Sequence, residues 1–137
     1  AKNFEKVFTD QKVQLFRSKH PDYLDGDQMR DFVYVKDCVS VISWLIKNSF
    51  QSGLFNVASG ESRSWNDLIN TMGSALGVKA KIEYVDMPQE LERHYQYCTL
   101  GSVKKLLNTG FDKKLLSIED GVSDFLKNYM SEEWIYR

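Results

Sequence analysis

Apolar positions along the chain follow two rhythms, alternation for strands and a helical repeat of about 3.6 residues. Phe4, Val7 and Phe8 carry the helical repeat, so residues 1–9 read as the last turns of a helix. Lys12 to Phe16 is a strand candidate, with Val13 and Phe16 typical of pleated surfaces. Residues 17–30 are polar and include Pro21, Gly26 and several aspartates. They form a long loop, and loops beyond about 12 residues tend to be functional or mobile. Asp31 to Val35 reads as a second strand. Asp37 is placed to cap the helix that follows, because a carboxylate accepts the free amides of a first turn. Cys38, Val41, Ile42 and Leu45 fall on one helical stripe. Val39 and Ile46 widen it, which predicts a helix buried on two sides.

Gly53 to Gly60 reads as a strand bounded by glycines. Ser64 and Asp67 have capping-box spacing, and the next helix carries Trp65, Leu68, Ile69, Met72 and Leu76 up to a stop at Gly77. Lys81 to Val85 alternates like a strand and Pro88 ends it. Residues 88–99 show no period. Leu100, Val103, Leu106 and Leu107 predict a short helix ending near Gly110. Ser117 and Asp120 predict a second capping box, before a helix that buries Ile118, Val122, Phe125, Leu126 and Tyr129. The order is helix, strand, loop, strand, helix, strand, helix, strand, helix, helix. It predicts an α/β fold with parallel pairing through crossover helices.

The 137 residues suffice for a compact core, and 42% hydrophobic with 13% aromatic content argues against disorder. A net charge of −1 gives no general attraction for nucleic acid or an anionic membrane. No apolar run nears the ~20 residues of a bilayer span, and no signal-peptide pattern opens the chain. Cys38 and Cys98 stand far apart, too few for a disulfide framework or a zinc site. Cys38 is expected as a buried free thiol, and the compartment as reducing, hence cytoplasmic. Ala1 opens directly into a helical pattern with no cap before it. That predicts a sequence beginning mid-helix, as a fragment of a longer chain.

No complete catalytic set is visible. Glycine-rich phosphate loops and Gly-x-Ser-x-Gly are absent. His20 and His94 lie in separate loops without metal-ligand spacing, and His94 is expected as a solvated loop residue. No convincing Tyr-x-x-x-Lys pair occurs. Trp44 and Trp65 are expected in the core or at a subunit contact, and Lys104-Lys105 on a solvated helix face.

Arg30-Asp31-Phe32-Val33-Tyr34-Val35-Lys36-Asp37 resembles the Arg-Asp-Phe-(Val/Ile)-(Tyr/His)-Val-x-Asp motif of extended short-chain dehydrogenase/reductases, the nucleotide-sugar epimerases and dehydratases. Gly53 to Gly60 resembles that family's Gly-(Ile/Leu)-(Tyr/Phe)-Asn-(Val/Leu)-Gly-(Ser/Thr)-Gly strand. Leu106 to Phe111 and Ser117 to Tyr129 resemble its late segment and final helix. Pro88, Leu91 and Tyr95-Gln96-Tyr97-Cys98-Thr99 are similar to the Pro-x-x-Leu … Tyr-Gln-x-x-Thr pattern of ADP-L-glycero-D-manno-heptose 6-epimerases, where many UDP-sugar epimerases carry Arg-x-Gly-Asp.

The resemblance implies the C-terminal part of a Rossmann-type sugar-nucleotide epimerase. Residues 1–30 and 60–137 would be the small substrate-binding domain. Residues 31–59 would be the outer strand-helix-strand of the cofactor domain. NADP (or NAD) and the catalytic Tyr/Lys pair would lie in the missing N-terminal half. Arg30 would grip the nucleotide diphosphate, since a planar guanidinium binds in two places at once; the alternative is a surface Arg paired with Asp31 or Asp27. Tyr95 would contact substrate, the alternative being a half-buried structural tyrosine. Phe16, Arg17 and Ser18 occupy the place of a Phe-Glu-Gly-Ser substrate loop, with the Glu-Gly pair missing and the loop to Arg30 several residues longer. Arg17 and Lys19 could add phosphate contacts. The activity implied is inversion at C6 of ADP-D-glycero-D-manno-heptose by oxidation and reduction, for lipopolysaccharide core synthesis. The partners implied are a nucleotide-sugar substrate and further copies in a homo-oligomer. Another nucleotide-sugar 4-epimerase or dehydratase, or a non-catalytic nucleotide-sugar binding module, are the competing readings.

Overall fold

A computed structural model describes residues 12–48 and 52–130. The expected helix over residues 1–9 lies outside them. Strand β1 (Lys12–Phe16) pairs in parallel with β4 (Lys81–Val85). Strand β2 (Met29–Asp31) pairs antiparallel with β3 (Ser62–Ser64), so the expectation of parallel pairing holds for one of these two pairs. The helices are α1 (Val35–Lys47), α2 (Trp65–Leu76), α3 (Gln89–Glu92), α4 (Lys104–Leu107) and α5 (Ile118–Tyr129).

Two cores hold these elements. Alternation along β1 turns Val13 and Leu15 inward, where they meet Ile69 and Met72 of α2 and Leu126 of α5. Val41 of α1 meets Leu106 and Phe111 in a second cluster, flanked by Trp44, Phe55 and Val57. Trp44 sets its ring edge-on to Phe111 at 5.8 Å, as a core residue.

Helix α2 begins and ends as its sequence dictates. Ser64 accepts from the amide of Asp67, and Asp67 accepts from the amide of Ser64. Gly77 closes the helix at φ 69°, a conformation that costs glycine little. At α5 half of the expected box forms. The Ser117 hydroxyl accepts from the Asp120 amide at 3.1 Å but gives its own proton to the Asp120 carboxylate, so the return bond is missing. Ile118 and Leu126 of α5 are buried, whereas Tyr129 stays exposed beside Lys36, whose ammonium lies 5.0 Å from its ring.

Several expectations are corrected. The expected strand over 31–35 stops at Asp31, because its partner is three residues long and Phe32 turns in against Trp65 at 5.3 Å. Helix α1 then starts at Val35, and the residue before it, Tyr34, makes no side-chain cap. Asp37 lies in the first turn and accepts instead from the backbone amide of Leu116 at 2.9 Å, clamping the 112–117 loop to α1. Residues 53–60 run without a ladder, since no strand lies beside them among the described residues. Helix α1 is not buried on two sides: Val41 is enclosed, but Val35, Val39, Ile42 and Ile46 are 54–73% exposed. Cys38 is half-buried rather than enclosed. In α4 only Leu106 is buried, while Leu107 and Leu100 face out. Lys105 is more than a solvated charge, donating to the Leu54 carbonyl at 2.8 Å over the ring of Phe55.

Replacing Ser64 with alanine removes the acceptor for the Asp67 amide. We expect a cost of about 1 kcal/mol, seen as roughly fivefold faster hydrogen exchange at that amide. Unchanged exchange would show that the β2–β3 pairing alone holds this helix start.

Candidate functional site

Successive side chains on a strand point to opposite faces, and β2 uses both. Asp31 turns one way into a nest of donors. Its carboxylate accepts from the Ser59 amide and hydroxyl at 2.6 Å each, from the Gly60 amide at 3.1 Å and from the Gly101 amide at 3.0 Å. Burial works against the charge, but the bonds from Ser59, Gly101 and Gly60 outweigh it and hold this carboxyl below its ordinary range. Gly101 has to be a glycine here, because a Cβ would lie 2.4 Å from that of Ala58.

Arg30 leaves the opposite face of the strand. Its guanidinium carbon sits 5.0 Å from the ring centroid of Tyr95, and one nitrogen donates to the Met29 carbonyl at 2.7 Å. Among the described residues no carboxylate forms an ion pair with it, so neither Asp31 nor Asp27 neutralises it. Asp27 accepts from Asn66 instead, at 2.7 Å. The remaining guanidinium N–H groups stay available to a bound anion.

Phe16, at the end of β1, meets Tyr95 edge-on at 6.5 Å. Phe16, Arg30 and Tyr95 therefore surround one cavity of about 210 Å³, completed by Gln14, Leu15 and Trp65. Arg17 and Ser18 do not line it. Arg17 pairs with Asp86 at 3.3 Å and approaches Asp25 at 3.9 Å. Ser18 is bound within its loop, donating to the His20 carbonyl and taking the His20 amide at 3.2 Å each. Lys19 reaches Glu92 at 2.7 Å. His94 is exposed.

Gln14 and Trp65 were not singled out for a site by sequence. Gln14 is an ordinary outward strand position, and Trp65 also packs against the first core, so neither bears a chemical signature. A larger apolar hollow of about 570 Å³ lies between Phe32–Val35, α2 and α5. No charged side chain lines it, so it offers nothing to hold a diphosphate. Beside it the Tyr34 hydroxyl donates to Asp124, which also takes the Lys36 ammonium at 2.6 Å. Burial and then Asp124 push the Tyr34 hydroxyl up to about 12. No cluster of three His, Cys, Asp or Glu with metal-holding geometry occurs among the described residues. No described helix is long and apolar enough to cross a membrane.

Residues 2–58 match the model of the NAD dependent epimerase/dehydratase family. Over 131 residues the chain is 42% identical to an ADP-L-glycero-D-manno-heptose-6-epimerase of Nitratidesulfovibrio vulgaris, covering 96% of this chain. The chain is thus similar to members of the epimerase/dehydratase family along nearly its whole length. A Fusobacterium nucleatum protein of the same name is 38% identical over 130 residues, which is 90% of this chain. The chain spans 41% and 39% of the length of these two relatives. Two solved structures share the fold. The ADP-L-glycero-D-manno-heptose-6-epimerase of Helicobacter pylori matches with a TM-score of 0.71 at 23% identity, covering 93% of this chain and 38% of that one. A Thermus thermophilus UDP-glucose 4-epimerase in complex with NAD matches with a TM-score of 0.74 at 22% identity, covering 94% and 39%. The fold is thus that of Rossmann-type extended epimerases, as the motifs of Arg30–Asp37 and Gly53–Gly60 imply.

The depressed carboxyl of Asp31 has a consequence for acid stability. A lowered folded-state value contributes stability above the unfolded value of about 3.9, and that contribution fades as pH falls from there through the lower folded value. Melts of the intact protein between about pH 2 and 5 should show this loss, and Asp31→Asn should flatten it. The substitution should also cost about 1–2 kcal/mol at neutral pH, a figure kept modest because Asp31 is only partly enclosed. An unaltered acid limb in the variant would mean that other carboxylates govern it.

Proposed function

We propose that this chain is the substrate-binding part of an NADP-dependent ADP-glyceromanno-heptose 6-epimerase, an isomerase of nucleotide sugars. The carrying observation is the unneutralised Arg30 guanidinium held over Tyr95 and beside Phe16. It stands in a chain 42% identical to a protein of that name. Arg30 grips the diphosphate in two places, Tyr95 offers its hydroxyl to phosphate or sugar, and Phe16 covers the apolar side. Arg17 and Ser18 follow Phe16 along the chain but stand outside this cavity, Arg17 on Asp86 and Ser18 within its own loop, so the diphosphate is left to Arg30.

The division of labour follows from these positions. A nicotinamide cofactor, NADP with NAD as the alternative, supplies hydride transfer when bound. The chain has no glycine-rich phosphate loop, so none of its residues is assigned to the cofactor. Its own residues fix the nucleotide end of the substrate while either face of C6 meets the redox centre. The Tyr/Lys acid–base pair belongs upstream, and this chain by itself is inactive. The reaction would serve lipopolysaccharide core heptose synthesis in the cytoplasm, within a homo-oligomer; the free thiols Cys38 and Cys98 suit a reducing compartment.

Residues 1–30 and 60–137 are assigned to the substrate domain and 31–59 to the edge of the cofactor domain. The exposed face of α1 and the unpaired run 53–60 support this, since a neighbouring sheet would cover the one and pair with the other. The 137-residue chain by itself should therefore melt broadly, while the intact protein melts sharply. A sharp cooperative melt of the isolated chain would count against the assignment.

The activity is tested by incubating the intact protein with ADP-D-glycero-D-manno-heptose and resolving the two C6 epimers. Absence of interconversion with cofactor bound would sink the heptose reading, and conversion at C4 or loss of water would favour the other family chemistries. Arg30→Lys should raise KM about tenfold with little change in kcat, because it removes the fork but not the charge. An unchanged KM would remove Arg30 from the diphosphate site.

A further inference from the structure

The loop between β1 and β2 is fastened at its root to the first core. The Gln28 side-chain amide and the Gly26 amide both donate to the Phe16 carbonyl, at 3.1 and 3.3 Å. Asn66 of α2 donates to the Asp25 carbonyl and to the Asp27 carboxylate, at 2.9 and 2.7 Å. The tip of the loop, residues 19–23, is fastened differently, to the segment after α3. The Lys19 amide donates to the Tyr97 hydroxyl at 3.2 Å, and the rings of His20 and Tyr23 lie 5.0 and 5.6 Å from that of Tyr97. His20 and Tyr23 also meet each other, at 5.3 Å.

Tyr97 has two further attachments. Its carbonyl accepts from the amide of Met29 at 2.8 Å, beside Arg30 on β2. Its ring meets Tyr95 edge-on at 5.3 Å, and Tyr95 is the ring under the Arg30 guanidinium. One residue thus touches the loop tip, the strand that carries Arg30 and the ring that supports it.

We propose that Tyr97 is a positioning residue: packed against both His20 and Tyr23, its ring closes the 17–28 loop and props Tyr95 against Arg30, setting affinity for the nucleotide diphosphate. The inference rests on the function proposed above. Aromatic contacts of this kind hold geometry without touching the ligand. Removing them frees the loop tip and leaves Tyr95 with one supporting ring fewer, so binding weakens and the chemical step does not.

The test uses the intact protein with ADP as the probe. Tyr97→Ala should weaken ADP binding about tenfold by calorimetry, the scale of losing several ring contacts. It should also speed tryptic cleavage after Lys19 and raise KM without an equal fall in kcat. Tyr97→Phe keeps the rings and loses only the acceptor for the Lys19 amide, so it should restore most of the affinity and most of the resistance to trypsin. Tyr23→Ala, which removes another ring of the same three-ring cluster, should reproduce the alanine effect should Tyr97→Ala not fold. ADP affinity and Lys19 cleavage unchanged in either alanine variant, or a phenylalanine variant as weak as alanine, would overturn the proposal. If the wild type does not bind ADP, the nucleotide reading itself falls, and trypsin sensitivity alone then decides whether Tyr97 holds the loop.

Discussion

The carboxylate of Asp31 gathers donors from segments 28 to 70 residues further along the chain. Each bond is charge-assisted, and such bonds are about twice as strong as neutral ones. Three stretches without long regular structure meet there: the end of β2, the turn at Ser59–Gly60, and the backbone at Gly101. If that convergence opened, β2 would lose its anchor, and Arg30 on its other face would no longer be aimed at Tyr95. A structural carboxylate and a candidate ligand-binding cation are neighbours on one strand because alternation lets each serve a different side.

From that point the chain divides into two packed units. The first sets β1 and β4 against α2 and α5, and it carries Phe16 and Trp65 to the cavity. The second packs α1 and residues 55–57 on Leu106 and Phe111, and it leaves a row of large apolar side chains on α1 in the open. Asp37 joins α1 to the 112–117 loop, and Asp124 joins its first turn to α5. The candidate site lies at the first unit, while the uncovered face belongs to the second. Under the proposed function, the first unit would hold substrate and the second would turn its open face to the cofactor domain.

Local chemistry was readable residue by residue. The cap at Ser64, the stop at Gly77 and the alternation in β1 and β4 depend on neighbours within a few positions, so the sequence contains their whole cause. Arg30, Tyr95 and Phe16 were legible as candidates because each stands in a recognisable motif. The strands expected at 31–35 and 53–60 failed for the opposite reason. A strand is completed by a partner, and no residue inside either segment says whether the partner is there.

What the sequence by itself determined is thus the two ends of α2 and the start of α5, the faces of β1 and β4, and which residue types could meet a diphosphate. Only the tertiary structure decided that Asp31 spends its charge on Ser59, Gly60 and Gly101 rather than on Arg30. It alone turned Asp37 from a cap into a clamp on Leu116, and brought Tyr97 between a distant loop and Tyr95. These outcomes join residues tens of positions apart. Their energy comes from desolvated donors and rings that meet only once the chain has packed, so no local pattern could foretell which partner each would take.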